Sequence, residues 1–341
     1  MIRRLVVVML IMLLGAGGYL AWAWSLHLQP GRRIYVVRPG TTLHAFASEL
    51  HRQGAIPDTW SLLLLAHLEG QTRGLQAGEY EFHAGITLSG LLAQVVSGKT
   101  VQYPLTLVDG WTFRQVMQAV NAAPKLRHSL AGLTTAQIAA RLGHPGANPE
   151  GCFYPDTYYY TNGTSDVSLL RHAYQRMRQF VLRAWPGRAR GLPLRDPYQA
   201  LILASLVERE TAAPVERPLI AGVFVNRLRL GMKLQTDPAV IYGMGSRYHG
   251  AIHISDLRRD TPYNTYRHYG LPPTPIALPS PQSIMAALHP ATTKALYFVS
   301  RGNGTHQFSE TLKQQDEAVI KYELHGHRRR GTRVAKKRGK R

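Results

Sequence analysis

Leu5 to Trp24, LVVVMLIMLLGAGGYLAWAW, is an apolar run without a charged residue. Its length matches the roughly 20 residues a helix needs to cross the hydrocarbon core of a bilayer. Arg3 and Arg4 precede it, and Tyr19, Trp22 and Trp24 stand at its far end as an interfacial aromatic belt would. Ala21-Trp22-Ala23 has the form of a cleavage site, but the run exceeds the ~7–15 residues of a signal-peptide core. The expectation is an uncleaved single span, with residues 1–30 as cytoplasmic N-terminus and anchor. Beyond Pro30 no stretch approaches that length. Ile34-Tyr-Val-Val predicts a strand, and Arg38-Pro-Gly a turn. Leu43, Phe46, Ala47 and Leu50 share one helical face, with Thr41 or Thr42 placed to cap it. Trp60 to His67 predicts a second helix, Glu79 to Phe82 an alternating strand, and Leu88 to Val96 a third helix ended by Gly98.

Farther on, Val101 to Leu107 alternates as a strand does, and Thr112 is placed to cap a helix through Val116 and Val120. Prolines and glycines break residues 124–151 into loops around a short helix near Thr135–Leu142. The aromatic stretch Phe153-Tyr-Pro-Asp-Thr-Tyr-Tyr-Tyr reads as turn-rich core or as a stacking wall, and Asp166 as the cap of a helix to about Trp185. Tyr198 to Thr211 and Arg217 to Leu230 are helices without breakers, the second ended by Gly231. The predicted fold class is α+β: a single transmembrane helix, a small module over 31–100, a connecting region over 101–195, a larger mixed α/β domain over 196–325 and a tail over 326–341.

Charge and cysteine content narrow the chemistry. Forty-one Lys and Arg against 20 Asp and Glu give a formal net charge of +21, which favours polyanionic partners. Much of the excess lies in His327–Arg341, HRRRGTRVAKKRGKR, which lacks apolar periodicity and reads as a basic disordered tail. No zinc-finger, RNP-type or helix-turn-helix pattern accompanies it, so no specific nucleic acid is expected. The single Cys152 excludes an intrachain disulfide and a cysteine-cluster zinc site, and no metal or cofactor is expected.

The chemistry concentrates in YQALILASLVERET, residues 198–211, which holds Glu208 and Glu210. At about 100° per residue the two point in different directions. Glu210 falls among Leu203, Leu206 and Val207, and Glu208 beside Leu201, Ala204 and Ser205. The bulkier apolar face draws Glu210 toward low dielectric, which raises a carboxyl pKa as a general acid near neutrality requires. A surface Glu210 paired with Arg209 or Arg217 fits the wheel equally well. Asn226, Gln235, Thr236, Asp237, Tyr263 and Asn264 bring amides, hydroxyls and an aromatic ring into the following segments, with Gln235–Asp237 read as extended. Such groups beside a protonated acid describe a carbohydrate cleft better than a nucleotide or metal site.

VVRPGTTLHAFASEL resembles the opening of LysM glycan-binding modules, though Thr41 stands where these often carry Asp. ASLVERET, FVNRLRLGMKLQTDPAVIYGMG, PYNTY and GLPPTPIALPSPQSI resemble the successive motifs of the endolytic murein transglycosylase (YceG-like) family. That resemblance runs from the anchor to about Leu324. It implies that Glu210 is the catalytic acid, and that peptidoglycan glycan strands are cut inside the strand to leave 1,6-anhydro-N-acetylmuramic acid ends. It also implies an inner-membrane protein whose catalytic domain is periplasmic, with peptidoglycan synthases as expected partners. An ordinary glycoside hydrolase using Glu210 with Asp237 or Glu208, and a non-catalytic wall-binding scaffold, remain as competing readings.

Overall fold

A computed structural model describes residues 2–30 and 34–323, so the basic tail lies outside the described residues. The chain forms two compact units. The smaller comprises the described residues up to 104 with the short returns 124–127 and 159–165, and the larger comprises 105–123, 128–158 and the described residues from 166 on. The stretch read as a connecting region, 101–195, therefore contributes to both units.

The smaller unit begins with α1 (Ile2–Ser25), a helix long and apolar enough to cross a membrane, whose apolar side chains are mostly exposed. Its C-terminal end is part of the folded unit. Ala23 is fully buried, and Leu28 beyond it exchanges backbone hydrogen bonds with Gly85 and Ile86. Then follow β1 (Ile34–Val37), α2 (Leu43–Arg52), α3 (Thr59–Leu68), β2 (Gly78–Glu81) and α4 (Leu88–Val96). Thr42, Asp58 and Thr87 cap the three helices, each side chain accepting from the amide three residues on. β1 and β2 pair antiparallel, Ile34 opposite Glu81 and Val37 opposite Gly78. The strand-helix-helix-strand order agrees with the sequence pattern. Leu50, Leu62, Tyr80, Phe82, Leu88 and Leu91 form the centre of its core. Glu79 is buried with its charge compensated: Tyr103 Oη donates at 2.7 Å, Asn162 Nδ2 at 2.7 Å and Lys125 Nζ at 3.3 Å.

The larger unit is mainly helical. After β3 (Tyr103–Leu107) come α5 (Phe113–Ala122), α6 (Thr135–Leu142), β4 (Asp156–Tyr160) and α7 (Asp166–Ala184). β3 and β4 form a two-stranded sheet, so the aromatic stretch read as turn-rich contains a strand. Its burial alternates, with Tyr158 and Tyr160 inside and Tyr159 exposed. Asp166, expected as the cap of this helix, is the first residue of α7, and its carboxylate accepts from the next backbone N–H, that of Val167, at 2.7 Å. Its fully buried carboxylate also accepts from Ser129 N and Leu130 N at 2.7 and 2.8 Å, fixing a neighbouring loop.

The centre of this unit is α8 (Pro197–Glu210), followed by α9 (Arg217–Arg229), α10 (Asp237–Met244), α11 (Ile254–Arg258) and α12 (Pro281–Leu288). A hairpin of β5 (Tyr297–Ser300) and β6 (His306–Ser309), and then α13 (Leu312–Tyr322), complete it. Every residue of α8 from Ala200 to Val207 is buried, against α9, α12 and their neighbours. A helix apolar on all sides is what a central position requires. The segment read as extended through Asp237 turns helical at that residue. Pro238 suits a first helical turn, and Asp237 adds a carboxylate where the helix dipole favours one.

Candidate active site

Because α8 is buried all round, the apolar content of its two faces does not separate Glu208 from Glu210. Hydrogen bonding does. Glu208 is compensated: Arg217 Nη2 lies 3.2 Å from its Oε1, and Ser280 donates both its backbone N–H, at 2.8 Å, and its hydroxyl to Oε2. Ser280 is also the N-cap of α12, so Glu208 ties α8 to the start of α12 and to α9. The Arg217 partner considered for Glu210 belongs to Glu208.

Glu210 ends α8 and lines a cavity of about 300 Å³ with Arg227, Leu234, Gln235, Asp237, Tyr266, Phe298, His306 and residues of α13. Burial pushes its carboxyl up from the ordinary 4.5 to about 7. The Thr236 hydroxyl offsets part of that rise, the Asp237 charge adds to it, and the Arg227 charge opposes it. Thr236 is 2% exposed, and its hydroxyl has no partner at hydrogen-bond geometry. A protonated acid at a cavity wall, with an unsatisfied hydroxyl nearby, is equipped to donate a proton to a bound oxygen.

The other expected residues divide into two sets. Gln235, Thr236 and Asp237 stand with Glu210. Gln235 takes a left-handed φ of 51°, and its Oε1 accepts from Arg227 Nη1 at 3.1 Å. Asp237 Oδ1 accepts from Tyr266 Oη at 2.6 Å. The remaining three each spend a side-chain nitrogen or hydroxyl on partners within the protein. Asn226 Nδ2 donates to the carbonyls of Thr293 and Ala295 at 2.8 and 3.2 Å. Asn264 is 1% exposed, and its Nδ2 donates to three carbonyls between Asp256 and Arg259. The Tyr263 hydroxyl bonds Thr274 Oγ1 at 2.9 Å, and its ring packs on Tyr242.

Residues 35–321 match the YceG-like family. The chain belongs to that family. Among its relatives is a protein of Bacillus subtilis strain 168 named endolytic murein transglycosylase, 29% identical over 83% of this chain and 82% of that one. Another of the same name, from Streptococcus pneumoniae R6, is 26% identical over 84% of this chain and 59% of its own. The crystal structure of a YceG-like protein from Listeria monocytogenes superposes with a TM-score of 0.53, at 25% identity, covering 83% of this chain and 97% of that one.

Within this YceG-like chain, several groups around Glu210 escape sequence reasoning. Arg227 is buried at 7% exposure. Its Nε donates to Leu296 O at 2.6 Å, its Nη1 to Leu234 O at 2.9 Å, and its guanidinium lies 5.0 Å from the Tyr297 ring centre. It follows Asn226 directly in the FVNRL motif, so the motif marked the right turn of helix. His306 lines the cavity while its Nδ1 and backbone N–H meet Glu216 at 2.7 and 2.8 Å. Ninety residues separate that pair, and no local pattern connects them. A second carboxyl, Glu150, is also pushed up to about 7 by burial. It lines another cavity of about 760 Å³, and both its oxygens are used, by Phe113 N at 2.8 Å and Tyr242 Oη at 3.0 Å. Among the described residues no group of three His, Cys, Asp or Glu side chains converges as metal ligands would.

Proposed function

We propose that this YceG-like protein is a membrane-anchored endolytic lytic transglycosylase of peptidoglycan, with Glu210 as its catalytic acid. The observation that carries the reading is the Glu210 carboxyl, raised to about 7 at the wall of a cavity and without the ion pair and hydrogen bonds that fix Glu208. Relatives over most of the chain carry the name endolytic murein transglycosylase.

In this reading, Glu210 gives its proton to the oxygen joining N-acetylmuramic acid to N-acetylglucosamine, and the C1–O bond breaks. The substrate's acetamido group steadies the positive charge that develops at C1. The muramic C6 hydroxyl then attacks C1, and its proton returns to the Glu210 carboxylate. The ring closes to the 1,6-anhydro form and the acid is restored, with no water consumed. A hydrolase of the usual kind needs a second carboxylate as base or nucleophile. Asp237, the acidic neighbour in the cavity, accepts a hydrogen bond from Tyr266, which supports a positioning role. Gln235, Thr236 and Arg227 are suited to hold sugar hydroxyl or N-acetyl groups.

α1 serves as a single-pass anchor in the inner membrane, with both folded units in the periplasm and peptidoglycan synthases as neighbours. The β1-α2-α3-β2 unit serves as a LysM-like module that holds glycan. The deciding experiment is digestion of peptidoglycan in heavy-oxygen water by the wild-type protein and by Glu210→Gln. Unlabelled 1,6-anhydro ends on internal fragments, absent with Glu210→Gln, are expected. Labelled reducing ends as the main product would make it a hydrolase. Disaccharides released first from strand ends would remove the endolytic part alone.

A further inference from the structure

The smaller unit leaves one helix face bare. On α3, Trp60, Leu64 and Leu68 follow one another at four-residue spacing and are 77%, 37% and 64% exposed. Four-residue spacing puts them in one stripe. The opposite side of α3 is fully engaged, with Ser61, Leu62 and Ala66 at 0% exposure. So α3 has an inner face in the core and an outer face that is apolar except for the exposed His67 in its last turn, a side chain with an apolar body and a polar tip. Single exposed hydrophobics are ordinary, but a contiguous stripe with a tryptophan marks a contact surface.

What covers the stripe is indicated by what α3 is fastened to. Asp58, the N-cap of α3, accepts from Tyr19 Oη of α1 at 2.6 Å. Ser61 O accepts from Trp24 Nε1 at 3.2 Å. Both partners belong to the aromatic end of the apolar helix, where such residues sit at headgroup level. Tyr19 and Trp24 are five residues apart, about 7–8 Å at the helical rise of 1.5 Å per residue. The first turn of α3 is therefore held within the span of α1 that crosses the headgroup layer. An interfacial helix buries its apolar face about 5–10 Å into that layer.

We propose that the Trp60–Leu64–Leu68 face of α3 lies in the surface of the bilayer that α1 crosses, as a second, interfacial membrane contact. It rests on the reading of α1 as a membrane anchor. A lone transmembrane helix can still tilt and turn in the bilayer and carry with it the unit packed on its end. A second contact one helix away fixes its orientation on the membrane. The occupant is lipid at the boundary of headgroup and acyl chain.

The test uses the full chain in phosphatidylethanolamine–phosphatidylglycerol vesicles. An environment-sensitive fluorophore is placed at Leu64→Cys, Leu68→Cys or Leu14→Cys in a Cys152→Ala background, and doxyl lipids serve as quenchers. The Leu14 label should be quenched most by a nitroxide deep in the acyl chain. Labels at 64 and 68 should lose half or more of their emission to a nitroxide near the headgroup. Quenching at 14 without quenching at 64 and 68 overturns the proposal and leaves the anchor standing. No quenching at 14 removes the anchor, and the proposal with it. Labels at 64 shielded from water, unquenched by lipid and transferring energy between copies would assign the stripe to self-association and overturn the proposal as well.

Discussion

The two glutamates of α8 show how neighbouring residues of the same type acquire different chemistry. Both are drawn at least partly out of water, yet only Glu208 is given an arginine and two hydroxyl- or amide-type donors in return. Glu210 retains the burial cost, and its pKa rises to about 7. In the unfolded chain that carboxyl ionises near 4.5. Below 4.5 it is therefore protonated in both states and costs nothing. As pH rises from 4.5 through 7 the unfolded state ionises first, and stability falls by at most about 3 kcal/mol. Glu210→Gln should accordingly be more stable than wild type at pH 8 and nearly equal to it at pH 4.5, as urea unfolding at the two values would show. Turnover of the same variant should fall by a factor of roughly 1,000 or more, since Gln has no proton to give. Wild-type turnover should decline about tenfold per pH unit well above pH 7, because the active form is the protonated one. Glu208→Ala should behave oppositely. It strands a nearly buried Arg217, a loss of about 3–5 kcal/mol, while turnover per folded molecule persists. Thermal melts paired with turnover would separate the two, and turnover lost at an unchanged melting temperature would return the acid role to Glu208.

At the scale of elements, what was legible in the sequence was what local rules govern. Thr42, Thr112 and the left-handed Gly98 and Gly231 mark helix ends in sequence and structure alike, because capping needs only residues within one turn. β4 was hidden, since its partner β3 lies some 50 residues earlier and its tyrosines read equally as core. The helical wheel gave the directions of Glu208 and Glu210, but not that both faces of α8 are covered or that Ser280 waits on one side. Asn226 illustrates the same limit. As an amide near the acid it counts among the cleft groups in the sequence, and in the structure its Nδ2 holds the chain leading into β5. Asn226→Ala would leave the carbonyls of Thr293 and Ala295 without this donor, so a stability loss of about 1–3 kcal/mol is expected, with KM for a soluble glycan changed less than threefold. Steady-state kinetics on the variant decide it: a tenfold rise in KM at unchanged melting temperature would restore the binding role. The Glu216–His306 pair makes a comparable link from the start of α9 to β6, one that faces the cavity. Glu216→Gln keeps the shape but weakens the hold on His306 Nδ1. It should lower kcat several-fold with a modest loss of stability, and kcat unchanged would make the pair a structural tie alone.

For the whole molecule, the folded unit begins earlier along the chain than composition suggests. Apolar content alone ends the span near Trp24 and starts the soluble part after Pro30. Yet Ala23 is fully buried, Leu28 is 3% exposed and pairs with Ile86, and Trp24 donates to Ser61. The last turn of α1 and the segment after it thus complete the core of the smaller unit. A chain shortened to begin at residue 34 loses the Leu28 side chain from that core, and deleting a buried leucine side chain typically costs about 2–5 kcal/mol through lost burial and the cavity left behind. It also leaves the backbone groups of Gly85 and Ile86 without their partners at Leu28. A chain beginning at residue 21 keeps all of these contacts while shedding most of the apolar span. The second chain should therefore protect β2 and α4 from amide hydrogen exchange far better than the first, by tenfold or more in the residues around Gly85 and Leu88. Exchange measured by mass spectrometry on the two truncated proteins gives the answer. Equal protection would mean that residues 21–30 belong to the anchor only, and that the smaller unit is complete without them.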